Sequence, residues 1–434
     1  MFNNQTNSSV PTLNTSITGP LLALEQHLLD RYMTIETWFR KQWINTPAPF
    51  YCSIDLRNAG FKLAPVDTNL FPAGFNNLNP QLFSLYIAAA QSTLENQFPG
   101  CERIVLIPEN HTRNVHYLES LNQLKEILSK AGYQVRIGSL LPELTSAKTF
   151  DLPSGQSICL EPLFPAQGSS LLEQFSPCLI LLNNDFSEGI PPSLKNLSPM
   201  IHPPLSLGWS QRLKSSHFRH YAGIATEFAQ LVDIDPWFIN PLFRNCGEVN
   251  FKEREGEEEL AETIDELLKE IQVKYDHYQI KEKPYVFVKA DAGTYGMAVM
   301  AISNSDELRQ LNRKQREKMS ASKGRQPVTK VLIQEGIYSF ETMTDRQAVA
   351  EPVVYCLGHH VIGGFYRLHQ GRNYQESLNA PGMEFEPLAF VDSCTNPDFA
   401  SDPNAIPNRF YVYGVIARLA LLAAARELQQ SKAT

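Results

Sequence analysis

The stretch Tyr285–Met300, YVFVKADAGTYGMAVM, decides how the rest of the chain is interpreted. It begins with an apolar run of β-branched and aromatic residues, which favours a buried strand. Lys289 and Asp291 follow, then two glycines, and the chain returns to apolar residues. The pattern predicts two strands joined by a glycine turn whose backbone can approach a ligand closely. A lysine and an acid at this position would suit a phosphate and its metal ion, but an ordinary hairpin with a surface lysine and aspartate fits equally well.

Length and composition indicate a globular protein of two or three domains. The 434 residues are 43% hydrophobic and 19% charged, and the net charge of −8 argues against nucleic acid as the main partner. The seven cysteines form no C-x-x-C pair, and the N-terminus lacks a secretory pattern, so we expect a reducing, cytoplasmic location. Phe410–Ala425 is apolar but carries Arg418 in its middle, which predicts a buried helix rather than a membrane span.

The order of the predicted elements indicates an α/β (α+β) fold. Residues 1–20 are polar and predicted to be disordered, and helical spacing follows from Leu21 to Ile44. A strand, an amphipathic helix and a second strand between Glu102 and Ile137 form a βαβ unit, which implies a parallel sheet. A further buried strand, Cys178–Leu182, is followed by polar residues, and the chain ends in a long helix from Asn408.

The segment Ser53–Leu78 is dense in polar groups and turn formers, as loops that build sites often are. Its polar residues are Asp55, Arg57, Lys62, Asp67, Asn69, Asn76 and Asn77, which lie between short apolar pieces and offer many donors and acceptors. The alternative is a solvated connection in which aspartate and asparagine only form turns.

Three other segments permit a functional and a structural interpretation. Asn184 follows a buried strand, where ligands commonly bind, but an Asx turn explains it equally well. Lys214 and His217 belong to a basic helical segment that could cover an anion site or simply face solvent. The basic helix Ser305–Lys318 and the loop after it could form a lid, and a solvated helix fits the composition equally well.

The common short nucleotide and hydrolase motifs are missing from the sequence. It contains no G-x-x-x-x-G-K-[ST], G-x-G-x-x-G, G-x-S-x-G or H-E-x-x-H. What remains is a strand lysine with a glycine loop, a later strand with a polar break at Gln334–Glu335, and an arginine, Arg367, at a strand end. Together with oxygen ligands for Mg²⁺, these are the parts that phosphoryl transfer requires.

Five segments resemble the proteobacterial glutamate–cysteine ligase family, which is related to ATP-grasp enzymes. They are PVDTNLFPAGFNNL (Pro65–Leu78), FVKADAGTYGM (Phe287–Met297), LIQEGI (Leu332–Ile337), GGFYR (Gly363–Arg367) and LNAPGM (Leu378–Met383). The order of parts is also similar to eukaryotic-type glutathione synthetases. Asp291 lies closer to the lysine, and Arg57 closer to the acid-x-Asn segment, than in those synthetases.

The resemblance implies an ATP- and Mg²⁺-dependent ligase that forms γ-glutamylcysteine from glutamate and cysteine through a glutamyl phosphate, the first step of glutathione biosynthesis. The implied catalytic residues are Arg57, Lys289 and Arg367. The nucleotide residues would be Lys289, Gly293, Thr294, Tyr295, Gly296, Met297, Gln334, Glu335 and Ile337. The magnesium ligands would be Asp67, Asn69 and Asp291, and the substrate residues Arg57, Asn76, Asn184, Lys214, His217, Arg367 and Asn379.

The resemblance also implies an ATP-grasp-like catalytic body with an inserted βαβ substrate domain. Its parts would be residues 21–101, the α/β substrate domain 102–206, and a nucleotide-binding region 207–434 with a lid around 303–330. Only small-molecule partners are expected, with neither nucleic acid nor membrane, and a homo-oligomer is compatible with this expectation. A ligase for another amino acid or peptide and a non-catalytic nucleotide-binding protein are the two alternatives.

Overall fold

The computed structural model describes residues 13–15, 20–110, 113–293, 298–321, 327–343, 346–388 and 409–433. Its strands form three sheets of seven, six and four strands, and helices cover them, so the mixed α/β class is confirmed. The predicted glycine-loop residues Thr294, Tyr295, Gly296 and Met297 lie outside the described residues.

The seven-stranded antiparallel sheet forms the floor of the molecule's main cavities. Its strands are β1 (Leu13–Thr15), β2 (Tyr51–Asn58), β3 (Leu63–Asn69), β14 (Glu341–Met343), β15 (Ala348–Leu357), β16 (His360–His369) and β17 (Glu384–Pro387). They run in the order β1-β14-β15-β16-β17, while β2 pairs with both β15 and β3. The prediction of disorder for residues 1–20 is therefore wrong for β1, which pairs with β14, and residues 1–12 and 16–19 lie outside the described residues.

The period-2 alternation of β2 explains how this sheet has one apolar and one polar face. Cys52, Ile54 and Leu56 belong to the largest apolar core, together with residues of the C-terminal helix. That helix, α10 (Arg409–Ala433), packs against β2 and β3. The intervening β2 residues, among them Asp55, therefore lie on the opposite face.

The six-stranded sheet contains the predicted βαβ unit. Its elements are β4 (Arg103–Pro108), α4 (Val115–Lys130), β5 (Gln134–Ser139), β6 (Lys148–Asp151), β7 (Ser157–Pro162), α5 (Leu171–Phe175), β8 (Leu179–Asn183) and β9 (Met200–His202). The order is β6-β7-β5-β4-β8-β9, and all neighbours are parallel except β6 and β7, which form an antiparallel hairpin. The helix α3 (Phe83–Gln97) shares an apolar core with α4 and this sheet.

The four-stranded antiparallel sheet contains the stretch with which the sequence analysis began. Its elements are α6 (Lys214–Val232), β10 (Phe243–Glu248), α7 (Glu257–His277), β11 (Val286–Ala290), β12 (Val299–Ile302), α8 (Asp306–Arg309), α9 (Arg313–Met319) and β13 (Lys330–Glu335). The order β10-β13-β11-β12 makes β11 and β12 the predicted pair of strands. The predicted lid helix is two short helices, α8 and α9, the second of which begins with a capping box at Asn312.

The C-terminal helix is buried, as the charge in its middle indicated. Arg418 is 2% exposed, lies over the ring of Phe39, and donates two hydrogen bonds to Glu36 at 2.7 and 2.8 Å. Glu36 belongs to the second of two N-terminal helices, α1 (Pro20–Asp30) and α2 (Tyr32–Asn45). No helix among the described residues is long and apolar enough to cross a membrane.

The cysteines are not all reduced. Cys101 and Cys178, which precede β4 and β8, form a disulfide with a Cα–Cα distance of 5.5 Å. Cys52, Cys159, Cys246 and Cys356 are free thiols. The cysteine pattern thus no longer supports the cytoplasmic location, which stays a prediction.

Candidate active site

Cross-strand register brings polar residues of four strands onto one face of the seven-stranded sheet. Asp67 on β3 pairs with Asp55 on β2, Asp55 with Val353 on β15, and Val353 with Phe365 on β16. The neighbouring row on β15 and β16 contains Glu351 opposite Arg367. Because residues two apart on a strand share a face, all these side chains point the same way.

Two cavities lie over this face and meet. The inner cavity has a volume of about 80 Å³ and extends to Lys214, Phe287, Lys289 and Gly293. The outer groove has a volume of about 1430 Å³ and extends to the 310 turn at Phe75–Asn77 and to the start of α4. The residues that line both are Asp55, Asp67, Arg367 and Asn379.

Lys289 lies at the end of β11, as predicted, and lines the inner cavity. Its ammonium group donates to Oε1 of Gln334 at 2.6 Å and to the carbonyl of Val66 at 3.1 Å. Burial lowers the pKa of Lys289 to about 7, and the negative charge of Asp67 offsets this only in part. A phosphate in the inner cavity would therefore lie beside a lysine that is partly uncharged near neutral pH and takes up a proton when the anion binds.

Asp67 is held between two lysines. Lys214 donates to Asp67 Oδ1 at 3.0 Å and lies over the indole of Trp209. Burial opposes ionisation of Asp67, but the charges of Lys214 and Lys289 outweigh this and keep its pKa well below the usual range. The Asp67 side chain is still 40% exposed, so the carboxylate is accessible from the cavity.

Asp291 caps a helix. Its side chain accepts hydrogen bonds from the backbone N–H of Ser215 at 2.8 Å and from the Ser215 hydroxyl at 2.7 Å. Its backbone carbonyl accepts from the N–H of Lys214. Asp291 therefore fixes the start of α6, and with it Lys214, while neither cavity includes Asp291 in its lining. Magnesium binding by Asp291 stays a prediction.

The two predicted arginines differ in their surroundings. Arg57 is 3% exposed and forms an ion pair with Glu351, donates to the carbonyl of Ile337 at 3.0 Å and to Tyr285 at 3.2 Å. Arg367 pairs with Asp55 at 2.8 Å and approaches Glu351 at 3.7 Å. The buried Nε of Arg367 has no hydrogen-bond partner. Arg57 lines the inner cavity only and its guanidinium is already paired, whereas Arg367 lines both cavities.

Gln334, Glu335 and Ile337, three of the predicted nucleotide residues, line neither the inner cavity nor the outer groove. The Glu335 carboxylate is enclosed by Lys62 at 2.7 Å, the Trp237 indole N–H at 3.0 Å and the backbone N–H of Leu242 at 2.9 Å. Gln334 is fully buried and contacts the site through Lys289. The residue after Glu335 is Gly336. The Tyr285 ring lies so close to it that a Cβ atom at this position would be 2.3 Å from the ring.

The predicted substrate residues divide into those at the cavities and those elsewhere. Asn76 lines the outer groove, and Asn379 lines both cavities. Asn184 accepts from the N–H of Phe186 in an Asx turn and lines a third cavity of about 540 Å³, which shares Asn110 and Asp185 with the outer groove. His217 is 2% exposed and contacts Glu427 at 2.7 Å, away from all three cavities, and burial lowers its pKa.

The sequence analysis missed two carboxylates that complete the site. Asp55 was named only as one residue of a polar segment, although the alternation along β2 places it on the opposite face of the strand from Ile54 and Leu56. Glu351 is the one charged residue of β15, AVAEPVVYCL, and a lone acid in an apolar strand was a signal for a buried ion pair.

The fold is mixed α/β, and the site is a cavity lined by lysines and arginines over an antiparallel sheet, an arrangement that suits anionic ligands. The family model of glutamate-cysteine ligases, GshA, matches residues 25–428, so the chain belongs to this family. A crystal structure from Methylobacillus flagellatus, of a protein provisionally assigned as a gamma-glutamylcysteine synthetase, is similar at 55% identity and a TM-score of 0.89, over 98% of this chain and 99% of that chain.

A second solved structure is more distant. The glutathione synthetase-like effector GSS30 of Globodera pallida aligns at 11% identity and a TM-score of 0.34, over 81% of this chain and 78% of that chain, which is too low to support a conclusion. No curated protein matches the chain.

Proposed function

We propose that this chain joins the γ-carboxylate of L-glutamate to the amine of L-cysteine, with ATP converted to ADP and phosphate. Family membership supports this reaction. The observation that carries the site assignment is the junction of a cation-lined inner cavity with a larger groove at Asp55, Asp67, Arg367 and Asn379. Phosphates would enter the inner cavity, and the amino acids would occupy the groove.

Lys289 and Lys214 would neutralise the phosphates of ATP. Both line the inner cavity, and the low pKa of Lys289, a result of burial, leaves it ready to gain charge beside an anion. Arg367 would bind a substrate carboxylate, because a guanidinium pairs with carboxylates through two hydrogen bonds. Arg57 and Glu351 would keep the Arg367 side chain in position.

The residues at the junction fit a magnesium ion. Mg²⁺ takes oxygen ligands and is commonly bound through one or two carboxylates plus substrate phosphates. Asp67 has an accessible carboxylate, and Asn69, two residues further on the same face of β3, has an amide oxygen. When bound, the ion would neutralise negative charge on the phosphates, while the chain's own residues position the glutamate γ-carboxylate for phosphorylation.

The inner cavity is smaller than the nucleotide it would receive. Its volume of about 80 Å³ lies below the ~300–1,000 Å³ of typical small-molecule sites. We therefore expect the four-stranded sheet to move away from the seven-stranded sheet when ATP enters. Closure around the bound substrates would exclude water, which would otherwise hydrolyse a glutamyl phosphate.

The test measures products and a matched pair of lysine variants. Purified protein with ATP, Mg²⁺, glutamate and cysteine should release ADP and form γ-glutamylcysteine, detected by mass spectrometry. Lys289→Ala should abolish both, whereas Lys281→Ala, at an exposed lysine, should change neither. ADP release that depends on another amino acid pair would point to a different ligase, and nucleotide binding without product to a non-catalytic protein.

A further inference from the structure

Asp55 occupies the boundary between the two cavities. It lies directly opposite Asp67 in the β2–β3 pairing, and its side chain is 21% exposed. The carboxylates that line the inner cavity are those of Asp55, Asp67 and Glu351, and of these Glu351 does not reach the groove.

The three carboxylates differ in the residues that they contact, and these contacts indicate different roles. Asp67 contacts Lys214 on the phosphate side, and Glu351 lies buried against Arg57. Asp55 contacts Arg367 at 2.8 Å, on the groove side. Asp67 lines both cavities too, but Asp55 is the carboxylate that lies beside Arg367 where the groove opens onto the inner cavity.

Asp55 and Arg367 together match the two charges of a free amino acid. An amino acid in neutral solution carries one carboxylate and one ammonium group, separated by a single carbon atom. If the carboxylate binds Arg367, the Asp55–Arg367 ion pair is exchanged for two new pairs, and the ammonium lies against Asp55. Each charge in the site then keeps a partner, which avoids the cost of an unpaired buried charge.

We infer that Asp55 binds the ammonium group of the incoming amino acid and so positions its nitrogen for attack on the glutamyl phosphate. This inference rests on the proposed ligase function. The amine nitrogen forms a bond to the glutamyl carbonyl carbon, the bond from that carbon to the phosphate oxygen breaks, and phosphate leaves with the electron pair. The nitrogen loses two protons in this step, one from the ammonium before attack and one as the amide forms; one passes to the leaving phosphate and the other to water.

The experiment separates phosphorylation from amine attack with two nucleophiles. Cysteine arrives with a charged amine, whereas hydroxylamine is already uncharged at neutral pH and traps a glutamyl phosphate as the hydroxamate. In Asp55→Asn we expect cysteine-dependent product formation to fall at least about 100-fold, while hydroxamate formation stays within about threefold of the unmodified chain. Asp151→Asn, at an exposed aspartate, serves as the control and should change neither rate.

Other outcomes have distinct meanings. An equal loss with both nucleophiles, or a higher Mg²⁺ requirement for hydroxamate formation, would overturn the inference and place Asp55 in phosphorylation or metal binding. An unchanged rate with cysteine would overturn it as well. If Asp55→Asn does not fold, Asp55→Glu is tested in the same assays, and again an equal loss counts against the inference. Failure of the unmodified chain to form γ-glutamylcysteine would instead refute the proposed function.

Discussion

Lys289 is the group whose protonation we expect to change most when ATP binds. Burial lowers its pKa to about 7, so about half of the ligand-free protein carries this charge at pH 7 and about one tenth at pH 8. A phosphate beside the ammonium favours the charged form. Binding should therefore take up about half a proton at pH 7 and about 0.9 at pH 8 through this residue.

Because Lys289 must carry a proton when ATP binds, the apparent affinity for ATP falls as the pH rises. If only the charged form binds well, affinity falls with the charged fraction, by about fivefold between pH 7 and pH 8. Isothermal titration calorimetry in buffers of different ionisation enthalpy measures the protons directly, and Lys289→Arg supplies the reference because a guanidinium stays charged throughout. Equal proton uptake by the two proteins at pH 8 would refute the assignment of Lys289 to the phosphates.

Three further predictions concern the metal site and two buried ion pairs. Asp67→Ala should raise the Mg²⁺ concentration for half-maximal activity at least about tenfold, and an unchanged magnesium titration would remove it from the metal site. Glu335→Gln should lower the free energy of unfolding by about 3–5 kcal/mol because it leaves the Lys62 charge buried without its partner; a loss below about 1 kcal/mol in urea unfolding would contradict this. For Glu427, burial raises the pKa but Arg212 and His217 outweigh it and hold it at about 2, below the ordinary 4.5. Its stabilising effect is thus present above pH 4.5 and lost as the pH falls towards 2, so the stability difference between the chain and Glu427→Gln should shrink over that interval.

The strands that position several candidate residues could be predicted because local pattern marks them. The apolar runs that lead to Lys289 and Arg367 follow from alternation within a few residues, whereas the binding roles of these two residues and of the acid-x-Asn segment come from the resemblance and stay predictions. The buried C-terminal helix with its internal arginine follows from the same kind of pattern. These features depend only on residues that are close together in the sequence, so they can be predicted from the sequence.

Other assignments depended on residues far apart in the chain. Asp291 shows this limit: next to Lys289 it suggested a metal ligand, and in the fold its carboxylate accepts hydrogen bonds from Ser215 in the first turn of α6, 76 residues earlier in the chain. Glu335 was predicted to contact the nucleotide. In the structure its carboxylate is enclosed by Lys62 and Trp237. Nothing near either acid in the sequence identifies its partner.

The stretch Tyr285–Met300 by itself determined a strand ending in a lysine, because β-branched and aromatic residues followed by a glycine favour that local structure. Tertiary structure alone decided that this lysine donates to the carbonyl of Val66, next to Asp67, and that Asp55 and Arg367, separated by 312 residues, form an ion pair at the same cavity. The reason is physical: side-chain period and turn geometry are local, whereas strand register and charge pairing require elements from distant parts of the chain to pack first.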